Sequence, residues 1–100
     1  MDPAKPDIII SDVVVSTAGR DQGDWFYVIG EDPLYLTLAN GKDRPLDRPK
    51  LKKRQHVQTG LRSEPRVAAK IKNGDKVLNG ELRRDLAFLA SQMQANNLGG

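Results

Sequence analysis

The chemistry open to this sequence is concentrated in its cations. The stretch "RPLDRPKLKKRQH", residues 44–56, carries Arg44, Arg48, Lys50, Lys52, Lys53 and Arg54 and ends on His56, the only histidine. Cations in that number offer fixed positive charge to an anion. If residues 50–54 are extended, the two-residue period of a strand sends Lys50, Lys52 and Arg54 to one face and Leu51 and Lys53 to the other. Such a row can track a phosphate backbone. A nuclear targeting signal is the formal alternative for so basic a run.

Catalysis has less to work with. The chain has no cysteine, which excludes a disulfide framework, a thiolate metal site and a cysteine nucleophile. His56 alone cannot assemble a metal centre without cysteines or a suitably spaced carboxylate pair. Its expected place is the surface, touching phosphate or base. No nucleophile–base pair stands out, so a non-enzyme without cofactors is expected.

Charge is unevenly spread along the 100 residues. The formal net charge is +3, yet residues 1–39 hold two basic and seven acidic side chains, residues 40–73 eleven and three, and residues 74–100 three of each. A basic middle beside an acidic start implies a polarised surface, for which polyanions are the usual partners. No apolar run approaches the ~18 residues of a membrane span. The opening "MDPAKPD" lacks the basic and apolar regions of a signal peptide. The expectation is therefore a cytoplasmic protein with no membrane partner and no small-molecule substrate.

Short strands must position these cations. "DIIISDVVVS" holds two β-branched triplets broken by Ser11-Asp12, read as a turn or bulge before a strand over Val13 to Ser16. "WFYVIG" gives a second strand from Trp25. "LYLTLA" alternates, with Leu34, Leu36 and Leu38 on one side. Asn40-Gly41 should then reverse the chain. Pro45 and Pro49 favour an extended loop or sheet edge, and "HVQT" gives a last short strand. Four or five strands in about fifty residues suggest a small barrel. Beyond Gly60 the period becomes helical. Ser63 is a plausible cap with Pro65 in the first turn and Asn73-Gly74 as the stop. Asn79 can cap a second helix whose Leu82, Leu86, Leu89 and Met93 form an apolar stripe. That stripe should pack on the barrel; an interface with a partner is the alternative. The expected plan is a lead-in over 1–7, a barrel over 8–60, a helical extension over 61–95 and a frayed tail over 96–100.

The insert "AGRDQG" joins the first two strands. Gly19 and Gly23 suit special backbone conformations. Their spacing makes neither a phosphate-binding loop nor a dinucleotide fingerprint. Of Trp25, Phe26, Tyr27 and Tyr35, two should lie in the core, and Trp25 is the best candidate for an exposed stacking residue.

Together these segments resemble a known family. "VVVSTAGRDQGDWFYVIG" is similar to the KOW motif of RNA-binding proteins, in particular bacterial members related to ribosomal large-subunit proteins. Val14, Ser16, Ala18, Gly19, Arg20, Asp21 and Gly23 fit a V-x-S-x-A-G-R-D-K-G pattern. "PKLKKRQHVQ" resembles the family's downstream "PKKKK…HLQ" element, and "NGELRRDL" its "NAEIRKAL" tail. The three segments fall in order over most of residues 13–90. Gln22 stands where the family carries lysine, Leu51 interrupts the lysine run, and the extension before Asp12 is longer than the family's. The resemblance implies a mainly β fold with C-terminal α structure: an SH3-like barrel of four to five strands followed by one or two helices. It also implies ribosome-associated binding of rRNA or another structured RNA, with large-subunit proteins as further partners. The RNA-facing set would be Gly19, Arg20, Gln22, Gly23, Trp25, Lys50, Lys52, Lys53 and Arg54, with Arg44, Arg48 and His56 secondary. The alternative is a protein–protein module of the same type in transcription or translation machinery.

Overall fold

The computed structural model describes residues 8–60 and 66–99, with side chains as far as residue 92. The expected lead-in over 1–7, the Ser63 cap, Pro65 and the Met93 side chain lie outside the described residues. The described chain forms β1 (Val13–Ser16), β2 (Trp25–Glu31), β3 (Tyr35–Ala39), β4 (Lys50–Lys53), a 3-10 turn (Arg54–His56), β5 (Val57–Thr59), α1 (Arg66–Asn73) and α2 (Asn79–Gly99). Helix α2 runs to Gly99, and the last residue of the expected tail over 96–100 lies outside the described residues.

The strands form one antiparallel sheet in the order β4-β3-β2-β1-β5. Its edges, β4 and β5, are consecutive in the chain and only the 3-10 turn separates them. Three residues reach roughly 10–14 Å from strand to strand, whereas four strand spacings in a flat sheet would hold the edges ~19 Å apart. The sheet must therefore curl. It stays open, because β4 and β5 do not pair with each other. A five-stranded sheet with two C-terminal helices thus stands where a small barrel is expected.

Strand alternation sorts the core into two clusters. Val14, Phe26, Val28, Leu36, Leu38 and Val57, with Ile8, are buried together within the curl. Val13, Tyr27 and Ala39, their neighbours in sequence, point outward and pack with Val67, Leu82, Leu86 and Leu89 of the helices. The described part of the leucine stripe therefore lies on the sheet. Of Trp25, Phe26, Tyr27 and Tyr35, two are in the core, Phe26 within the curl and Tyr27 beneath α2. The Tyr27 hydroxyl donates to the Asp85 carboxylate of α2. Burial, then that hydrogen bond and its negative charge, push the phenol well above its ordinary value.

Turn chemistry sets the register. Ser11 takes a positive φ of 83° and its N–H donates to Val28 O at 2.8 Å, giving the expected turn before β1. Asp32 Oδ1 accepts from Leu34 N at 2.8 Å and Tyr35 N at 2.7 Å. Those backbone bonds hold the Asp32 carboxyl below its ordinary value. They also place Leu34 in the turn, 65% exposed, so it does not join Leu36 and Leu38 inside. At α2, Glu81 Oε1 accepts from Leu78 N at 3.0 Å, a reach-back cap. Asn79 Oδ1 accepts instead from Leu46 N at 2.8 Å, fastening the long β3–β4 connection to the helix.

Candidate nucleic-acid interface

The loop between β1 and β2, residues 17–24, is fixed by its own backbone. Gly23 N donates to Ser16 O at 2.9 Å, Ser16 N to Asp24 O at 3.0 Å, Gln22 N to Gly19 O at 3.2 Å and Asp24 N to Asp21 O at 2.8 Å. Gly19 and Gly23 adopt φ of 88° and 93°, where an L side chain is strained. Thr17 N donates to the carbonyl of half-buried His56 at 2.8 Å, tying the loop to the 3-10 turn.

Asp21 is the hub of this loop. Its carboxylate turns inward, while Arg20 and Gln22 on either side are exposed. Lys52 Nζ donates to Asp21 Oδ1 at 2.6 Å and to Ala18 O at 2.7 Å. Lys50 Nζ lies 2.6 Å from Oδ2. Oδ2 has no aligned hydrogen-bond donor, so that contact is ionic. Ser16 Oγ lies 2.7 Å from Asp21 Oδ1 and 3.0 Å from Ala18 O; its single proton serves the carboxylate, the stronger acceptor. Burial alone would raise the Asp21 carboxyl. Lys50, Lys52 and Ser16 outweigh it and hold the group well below the ordinary carboxylate range.

The alternation expected of β4 is present, but its sense is inward. Lys52 is 7% and Arg54 3% exposed, whereas Leu51, between Lys50 and Lys52, is 64% exposed. Arg54 serves a second internal network: Nε donates to Asp32 O at 2.8 Å, one terminal nitrogen to Ile8 O at 2.9 Å and the other to Glu31 Oε1 at 3.2 Å. Lys52 and Arg54 thus act as internal ties, one to the loop and one to the β2–β3 end, and offer little surface to a ligand. Lys50 keeps 27% of its side chain exposed. Lys53 and Arg48 are exposed and Arg44 is half-buried.

The fold therefore gathers Gly19, Lys50 and Lys52 around one carboxylate, although some thirty residues separate loop from strand, and leaves Arg20 exposed beside them on the loop. Lys53 faces away from that carboxylate. Trp25 and Gly23 open on the side of the sheet that carries α2. Trp25 is half-buried, and Tyr35, at 37%, is an exposed aromatic residue. Sequence reasoning missed the roles of Asp21 and Glu31. Its available signal was an acidic residue at the centre of a glycine-framed loop in a chain with one strongly basic strand.

Among the described residues no group of three His, Asp or Glu side chains could hold a metal ion. No described helix is long and apolar enough to cross a membrane. No protein-family model matches the chain, and no curated protein matches it.

Proposed function

We propose that this protein is a non-catalytic, cytoplasmic RNA-binding module of SH3-like type that works in association with the ribosome. The observation that carries the reading is the braced loop. Arg20 is exposed on a loop whose backbone and whose Asp21 are both anchored, so the loop itself need not be ordered when its guanidinium meets a phosphate. Gly19 and Gly23 keep the backbone accessible beside it, and Gln22 adds a neutral hydrogen-bonding group. Lys50, Lys53, Arg48 and Arg44 supply further charge, with His56 and Trp25 at the margins. Lys52 and Arg54 contribute as positioning residues. The curl of the sheet and the 3-10 link between its edges support the SH3-like assignment, and the KOW resemblance supports rRNA or another structured RNA as the ligand.

Such a surface reads shape and charge more than sequence. Neutralising about four phosphates gives a slope of log affinity against log salt of roughly −3 to −4. The test is a titration of fluorescent structured RNA at two or more salt concentrations. The informative variants are Arg20→Glu and Lys53→Glu, because reversing Lys52 or Arg54 would place negative charge in the interior. Salt-insensitive binding, or indifference to both variants, contradicts the reading.

One observation favours a second reading. Leu34 in the turn before β3, Tyr35 of β3 and Leu51 of β4 are exposed at 65, 37 and 64%, near the open β4 edge, as a protein-docking module of the same type would have them. Co-purification with large ribosomal subunits separates the two. Loss of association on nuclease treatment supports RNA, and retention supports protein contacts.

A further inference from the structure

Where the sheet meets α2, a groove of about 700 Å³ opens next to the 17–24 loop. Small-molecule sites typically fall in the range of roughly 300–1,000 Å³. Its floor is the indole of Trp25 with Leu86, Ala87 and Ala90 of α2. The alanines, three residues apart on one helical face, leave room above the indole that larger side chains would fill.

Both walls are braced by internal hydrogen bonds. One is the end of the loop, Gly23-Asp24, held by the backbone bonds described above. The other is the β3–β4 hairpin tip. There Asn40 Oδ1 accepts from Lys42 N at 2.9 Å and Arg44 N at 3.0 Å, and Arg83 of α2 donates to Gly41 O at 2.7 Å. Gly41, at φ 76°, lies so close to the Asn79 carbonyl that any Cβ would collide with it. The rim carries two cations, Lys42 and Arg83, and two carboxylates, Asp24 and Asp43.

We propose that this groove takes one unstacked purine nucleotide of the bound RNA, with guanine preferred, its base lying on Trp25 and its phosphate toward Lys42 and Arg83. The proposal rests on the RNA-binding reading and adds a base-specific contact to it. A flat ring on an indole gains stacking energy whatever its sequence context. The carboxylates discriminate among bases, because they accept from N–H groups and repel carbonyl oxygens. Guanine presents two adjacent donors, N1–H and the N2 amine. Uracil presents one N–H between two carbonyls. The cations can take the phosphate without reading the base.

Trp25 is the only tryptophan, so its indole N–H gives a single, separate cross-peak in a nitrogen–proton correlation spectrum. The folded protein is titrated with guanosine 5′-monophosphate, uridine 5′-monophosphate and ribose 5-phosphate. The expected result is a saturable shift of the Trp25 peak with the guanosine nucleotide, binding roughly tenfold weaker for the uridine nucleotide, and no shift with the sugar phosphate. Ala87→Phe, at an exposed position of α2, should abolish the shift while the remaining spectrum stays folded. It should weaken structured-RNA binding only by the share of this one nucleotide, several-fold, whereas Arg20→Glu should weaken structured-RNA binding and leave the guanosine shift in place. A Trp25 peak that does not move, that moves equally for all three compounds, or that still moves in Ala87→Phe overturns the groove and leaves the loop reading standing. A guanosine-specific shift in a protein that binds no structured RNA overturns the RNA reading and keeps the groove as a nucleotide site.

Discussion

Lys52 and Lys53 are neighbours in sequence and opposites in the fold. Lys52 is buried against Asp21 and Ala18 inside the curl, and Lys53 stands in solvent. The same division separates Arg54, tied to Glu31, from Arg20, exposed at the loop tip. One group of cations holds the protein in shape and the other is available to a ligand. The difference teaches that a basic run cannot be counted as binding charge residue by residue. Where a basic strand faces inward, its partners are internal carboxylates, and the surplus appears on the adjoining loops and the other face.

The largest expected effect breaks the internal group. Asp21→Ala leaves Lys52 buried without its counter-ion and should cost about 3 kcal/mol, read as a lower urea midpoint at unchanged slope. Lys53→Ala should stay within about 0.5 kcal/mol. Equal costs for the two would erase the distinction.

The buried ionisable groups on the two sides of the sheet should separate by pH. The Tyr27 phenol is raised in the folded state, so its contribution is present below the unfolded value of about 10 and falls as pH rises beyond it. The Asp21 carboxyl is depressed, so its contribution is fully present above the unfolded value of about 4 and is lost progressively as pH falls from there toward the depressed folded value. Tyr27→Phe should cost about 1–2 kcal/mol by leaving Asp85 without its donor. It should also remove the part of the alkaline loss that titrates with the phenol. An unaltered alkaline limb in denaturant titrations at several pH values would count against this assignment.

Within the exposed group, Arg20→Ala should weaken structured-RNA binding several-fold and reduce the salt slope by about one unit, with stability nearly unchanged. Gln22→Lys is the gentlest probe. A cation there should raise affinity modestly and steepen the slope by about one unit. An unchanged slope in both titrations would remove the loop from the interface.

Much of the fold is legible in residue types. The β-branched triplet at Val13–Val15, the aromatic strand from Trp25 and the leucine stripe of α2 each state their periods locally. The shared face of Lys50, Lys52 and Arg54 is legible too. The direction of that face is not, because alternation names two faces without saying which lies inside. The deciding partners are distant: Asp21 is 31 residues from Lys52 and Glu31 is 23 from Arg54. Leu51 was the local clue, since a leucine turned to solvent between lysines means that those lysines point inward. The open sheet was likewise out of reach, because closure depends on whether the two edge strands pair. The groove at Trp25 needed the register of α2 against the hairpin, which Gly41 and Asn79 set by close approach.

The central claim is that the exposed cations, and not the buried ones, carry nucleic-acid affinity. Its most direct test is the salt dependence of structured-RNA binding by the Arg20→Ala/Lys53→Ala double variant beside the unaltered protein. The account predicts a double variant that unfolds at the same urea concentration, binds more weakly and loses about two units from a slope of roughly −3 to −4. A double variant with unchanged affinity and slope would contradict it.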